Sequence, residues 1–228
     1  MRVQIARLGG QPPLLIDNAD WLAEAFFAMD PSGKPGGFDD KAHDSAATRI
    51  EIKDVDAINA TMRARSPQKA WAALKDRELP WLAAIPDDWE LAKIGGDRWK
   101  TDAAPALEVA LTELLQKGRG VSVSTKMLHL KRPRLVPVLD SLVVAQLGSP
   151  MPTTSSKAVA LIDHVRGVVH RNASVLQQII DYLGLHGVDR SPVRVLDALL
   201  WGSHDDSWIA PLMPLIARWR EEREGRFS

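Results

Sequence analysis

Between Leu114 and Leu139 the chain carries no Asp or Glu, while Lys117, Arg119, Lys126, Lys131, Arg132 and Arg134 supply six positive charges and His129 part of a seventh. The formal net charge of the whole chain is +0, so this stretch concentrates positive potential on whichever face it forms. Such a face suits phosphate, a nucleic acid or an acidic protein surface. If all six cations met phosphates of a DNA duplex, affinity would fall with salt along a log–log slope of about −5. The same charges equally suit a solvated edge near helix C-termini, where they meet the negative end of the helix dipole. Directly behind the stretch stands Asp140. Pro133 and Pro137 bracket Arg134-Leu135-Val136, so the connection is stiff and delivers Asp140 to the start of the next helix. Free backbone N–H groups there hold a carboxylate ionised. That arrangement fits a plain N-cap, worth about 1 kcal/mol, or an anion positioned for chemistry.

The elements that must position these residues are helices, and the pattern predicts a mainly α fold. Asp17-Asn18-Ala19-Asp20 offers caps for a helix from Trp21 to Met29, which Pro31 to Gly37 breaks. Thr48 to Ile52 alternates like an extended segment. Asp54 then caps a helix carrying Val55, Ile58 and Met62, and Ser66-Pro67 opens another with Ala70, Trp71 and Leu74. Two short apolar pieces around Trp81 and Trp89 lie between Pro80 and Gly95-Gly96. A stronger helix runs from Asp102 through Lys117, with Leu107, Leu111, Leu114 and Leu115 on one face. A short helix capped by Ser122 or Ser124 ends before Pro133, and Asp140 precedes another, Ser141 to Leu147. Further helices are expected at 155–171, 174–183, 192–201 after the Ser191 cap, and from Asp206 towards Glu224. The chain reads as one domain, 1–228, with the alternative of two lobes, an N-terminal one at 1–100 and a C-terminal helical one at 101–228.

Composition narrows the chemistry. The 228 residues include no cysteine, which removes disulfides, thiolate zinc sites, cysteine nucleophiles and cysteine-held iron–sulfur clusters. The opening residues, Met1-Arg2-Val3-Gln4-Ile5, lead into no apolar stretch, and no run approaches roughly twenty apolar residues, so a cytoplasmic protein without a membrane partner is expected. No two histidines stand at i, i+4, and His204-Asp205-Asp206 reads as a helix cap, so no metal and no cofactor is expected. There is no Gly-x-Ser-x-Gly elbow and no phosphate-binding Gly-Lys-Ser/Thr loop. The chain is tryptophan-rich, with eight Trp among thirteen aromatics, and most of these are expected to anchor the core. No heptad repeat specifies an oligomer.

Two resemblances add to this reading. The segment Thr125-Lys126-Met127-Leu128-His129-Leu130-Lys131-Arg132-Pro133-Arg134-Leu135-Val136-Pro137-Val138-Leu139-Asp140, followed by Arg194-Val195-Leu196-Asp197-Ala198-Leu199-Leu200-Trp201, resembles an actinobacterial family of unknown function. That likeness extends to Ile50–Met62 and implies a helical fold without an activity. Gly118-Arg119-Gly120-Val121, Lys126 and Pro137-Val138-Leu139-Asp140 are more distantly similar to helix-hairpin-helix DNA glycosylases, which place a Gly-rich hairpin before a helix and an essential Asp at the next helix start. The Leu-Pro-Gly opening of those enzymes is absent here. The resemblance implies catalytic roles for Asp140, as the carboxylate that stabilises positive charge on the deoxyribose, and for Lys126, as an amine directed at the sugar. It also implies DNA as the partner, gripped through the 117–134 basic segment by Lys117, Arg119, Lys131, Arg132 and Arg134. The alternative is a non-catalytic helical module for protein interaction or self-association, in which the same cations meet an acidic partner and Asp140 only caps its helix.

Overall fold

Two short strands, Val3–Ile5 and Leu14–Ile16, pair antiparallel with Val3 opposite Ile16 and Ile5 opposite Leu14. The pleat turns Val3, Ile5 and Ile16 inward, where all three are buried. The buried Asn172 holds this ribbon against the helices: its amide donates to the Gln4 carbonyl at 2.8 Å, and its carbonyl accepts from the Gln4 N–H at 3.2 Å. The computed structural model describes residues 1–28, 47–115, 119–185 and 187–204. The expected helix at 206–224, Lys117 and most of the expected loop after Ala28 lie outside the described residues.

The rest of the described fold is mainly helical. Helices Ala19–Ala28, Ile52–Met62, Ala104–Leu114, Val121–Lys131, Ser141–Gln146, Ser155–Arg171, Ala173–Gly184 and Pro192–Gly202 follow in order, with shorter turns between the second and third. Ser155–Arg171 and Pro192–Gly202 match the sequence pattern closely. Thr154 and Ser191 cap them by accepting from the Lys157 and Arg194 N–H groups. Other boundaries differ from expectation. Glu51, and not Asp54, is the N-cap of Ile52–Met62; Asp54 sits three residues in, and its carboxylate reaches back to accept from the Glu51 N–H at 2.7 Å. Ser66-Pro67 introduces only a 3-10 turn, Gln68–Trp71. The helix expected to start at Asp102 begins instead at Ala104, entered through a π turn, Trp99–Ala103. Thr48–Ile52 forms isolated bridges from Arg49 to Glu78 and from Ile50 to Lys75.

Ala104–Leu114 packs on Ser155–Arg171, Ala19–Ala28 packs on Pro192–Gly202 and Ala173–Gly184, and Ile52–Met62 packs on Val121–Lys131. Their apolar faces join in one contiguous core that runs from Val3 to Leu200. Trp71 and Trp99 are buried in it, and Trp21, Trp81, Trp89 and Trp201 are half-buried. Among the described residues, no helix is long and apolar enough to cross a membrane.

Candidate functional site

The Val121–Lys131 helix brings the sequence candidates into the molecule, and it is covered on nearly every side. Ser124 through Lys131 are all buried, since Ile52–Met62 and Ala104–Leu114 both pack against this helix. Cations on such a helix need acceptors inside the fold. Lys131 finds Asp54, with its Nζ 2.6 Å from Oδ2 and both side chains essentially without solvent contact. Burial pushes the Lys131 ammonium below the ordinary lysine range, and the neighbouring Asp54 carboxylate opposes that shift.

Lys126, Arg119 and Arg132 meet backbone carbonyls. Lys126 Nζ donates to the Met62 carbonyl at 2.8 Å and so satisfies the last turn of Ile52–Met62. Arg119 donates from Nε to the Leu114 carbonyl at 2.8 Å and from Nη2 to that of Glu113 at 3.2 Å, closing the end of Ala104–Leu114. Its Nη1 reaches the Ala70 carbonyl, and its guanidinium lies over the Trp71 ring, 5.2 Å from the centroid. Arg132 donates to the carbonyls of Ile85 at 2.6 Å, Leu82 at 2.8 Å and Ala47 at 3.0 Å. Burial lowers the proton affinity of Arg119 and Arg132 as well. Arg119, Lys131 and Arg132 therefore face the interior and not a surface open to phosphate. The physical reason is that the packing of Leu128, Leu130, Leu135 and Val136 carries this part of the chain inward, where backbone carbonyls and the Asp54 carboxylate replace the cations' water. Arg134 is exposed and pairs with Glu90 at 3.2 Å. It lines a cleft with Lys93, Arg190, Glu90 and Asp189, so the lining carries charges of both signs.

Asp140, by contrast, is engaged only by the helix that it starts, among the described residues. Asp140 caps Ser141–Gln146, and its Oδ1 accepts from the N–H groups of Leu142 at 3.1 Å and Val143 at 3.0 Å. Both bonds fall on one oxygen. Among the described residues Oδ2 has no hydrogen-bond partner, and the side chain is half-buried. Burial pushes the Lys126 ammonium below its ordinary range, and the nearby Asp140 charge pulls it back up.

Three residues that sequence reasoning did not assign to the site hold the Pro133–Asp140 connection. Thr125 Oγ1 accepts from the Leu139 N–H at 3.1 Å while donating to the Val121 carbonyl at 2.9 Å. Asp197 accepts from the Val138 N–H at 3.1 Å. His129 Nδ1 lies 2.5 Å from the Val136 carbonyl and 3.9 Å from Asp197 Oδ2. For Asp197 the available signal was a carboxylate in the mostly apolar helix Pro192–Gly202, which marks it as a group needing an internal partner; Thr125 and His129 lie in a helix with many polar residues and carried no such signal. Among the described residues, no group of three His, Asp or Glu side chains is arranged to hold a metal ion.

Residues 19–204 match a family of unknown function (DUF6308), and the chain belongs to that family. No curated protein and no solved structure matches it.

Proposed function

We propose that this member of the family binds DNA and releases a base from it in the manner of a DNA glycosylase, with Asp140 as the carboxylate at the reacting sugar. The observation that carries the reading is the Asp140 side chain: one oxygen is locked by two amides, and the other is left over at a helix start. A fixed, ionised carboxylate of this kind stabilises positive charge developing on a deoxyribose ring without reorganising. In the step proposed, the C1′–N bond breaks with its electron pair leaving on the base, which takes up a proton. Water adds to C1′ and gives up a proton, so the products are the free base and an abasic site.

Lys126 is assigned a positioning role. Its Nζ is engaged with the Met62 carbonyl, which ties the end of Ile52–Met62 to the helix that leads towards Asp140.

The test uses the full chain on a panel of duplexes carrying damaged bases, with abasic sites revealed by alkali cleavage. Asp140→Asn keeps the capping geometry, so it is expected to retain thermal stability and DNA binding while base release falls by about a hundredfold or more. If the unaltered protein releases no base from any duplex, the catalytic part of the reading is lost. If it shows no affinity for DNA at low salt, the whole reading is lost.

A further inference from the structure

A second stretch without acids runs from Ala57 to Lys75, between Asp56 and Asp76, and carries Arg63, Arg65, Lys69 and Lys75. Its central part is the loop that leaves Ile52–Met62, and it is held from several sides. The Asn59 side chain brackets Ser66, donating to its carbonyl and accepting from its N–H, each at 2.8 Å. The buried Trp71 indole donates to Ser66 Oγ at 2.8 Å. Lys126 holds the Met62 carbonyl at the start of the loop, and Arg119 holds the Ala70 carbonyl at its end. The inward-facing cations of the first stretch are thus two of the anchors of the second.

What this anchored loop presents outward is positive. Arg63, Arg65 and Lys69 are all exposed. None of the three forms an ion pair with a carboxylate among the described residues; of their neighbours in the chain, Arg49, Lys53 and Lys75 do and Arg77 does not. Arg63 and Arg65 also stand at φ 49° and 52°, in the left-handed region that costs a residue with a Cβ about 1 kcal/mol or more. Glycine would relieve that cost, and the chain places arginine at both positions. The loop begins next to the carbonyl that Lys126 holds, and Lys126 in turn feels the charge of Asp140.

We infer that Arg63, Arg65 and Lys69 form a preset rim that binds the phosphate backbone of DNA. The inference rests on the DNA-binding reading above and names the groups that make the contact. A loop already fixed by internal bonds loses little freedom when phosphates arrive, so its cations act as point charges in a set spacing. Arg63 and Arg65 offer forked donors suited to phosphate oxygens, and Lys69 offers an ammonium.

The experiment measures binding of a short fluorescein-labelled duplex by anisotropy across a salt series, for four proteins. These are the wild type, the triple variant Arg63→Gly/Arg65→Gly/Lys69→Gln, the charge-keeping Arg63→Lys/Arg65→Lys, and a control, Lys100→Gln/Lys157→Gln/Arg171→Gln, that removes the same charge from other exposed positions. Glycine suits the left-handed backbone, so the triple variant is expected to fold with wild-type thermal stability or better. It should lose about tenfold or more in affinity and about 3 from the magnitude of the log–log salt slope, while the control and the lysine variant stay close to wild type. If the triple variant binds like wild type, or the control weakens just as much, the rim is overturned and the DNA-binding reading stands. If the wild type itself does not bind, that reading falls and the rim falls with it.

Discussion

Two stretches of this chain are rich in cations and free of acids, and the fold uses them in opposite ways. Leu114–Leu139 runs through a buried helix, and Arg119, Lys126, Lys131 and Arg132 are carried inside, where they meet the Asp54 carboxylate and the carbonyls of Met62, Leu114 and Ile85. Ala57–Lys75 runs through a loop between a helix end and a 3-10 turn, and Arg63, Arg65 and Lys69 stay in solvent. A cation count along the sequence therefore measures how many hydrogen-bond acceptors are needed, and not whether those acceptors come from solvent, a ligand or the protein's own backbone. In the first stretch the apolar neighbours Met127, Leu128, Leu130, Leu135 and Val136 bury the backbone, and the cations follow. In the second, Pro67 and Gln68 leave the chain at the surface.

The largest effect that separates the two stretches is expected from Lys131. Lys131→Met leaves a buried carboxylate without its cation and should lower the unfolding free energy by about 3–5 kcal/mol in urea titration. The double variant Asp54→Asn/Lys131→Met removes both charges while keeping an acceptor for the Glu51 N–H, and it should recover much of that loss. Its affinity for DNA should equal that of the wild type, because an inward-facing pair contributes no phosphate contact. Recovery of stability with a marked loss of DNA affinity would break the contrast.

A smaller effect concerns pH. Burial lowers the proton affinity of Lys126 in the folded chain, so the unfolded chain binds more protons from that lowered value up to the ordinary lysine value of 10.5. The contribution of this group to stability thus rises with pH across that alkaline interval and is lost as pH falls through the folded-state value. Lys126→Met lacks the rise. Denaturant midpoints measured from neutral pH to about 10.5 should show the wild type gaining on the variant, and parallel curves would show that Lys126 does not carry its charge inside.

How much of this was legible in the sequence follows from the range over which each feature is determined. Ser155–Arg171 and the Ser191 cap are local patterns of apolar spacing and a short polar side chain, and they match the structure. Asp140 as a helix-start residue is equally local, since the two amides it binds lie two and three residues on. The destinations of the cations are not local. Arg132 meets carbonyls 47, 50 and 85 residues away, and Lys131 meets a carboxylate 77 residues away, so no window around 117–134 contains the groups that draw them inward. The π turn at Trp99–Ala103 has no apolar period to announce it. The left-handed loop after Met62 was also hidden, because that conformation is ordinarily read from Gly or Asn, and Arg63 and Arg65 are neither.

The central claim is that DNA meets the outward loop and not the buried helix, and the salt dependence of binding by the unaltered protein tests it most directly. Three phosphate contacts from Arg63, Arg65 and Lys69 predict a log–log slope of about −3. A slope near −5, as the full cation set of Leu114–Leu139 would give, or no salt-dependent binding at all, would contradict it.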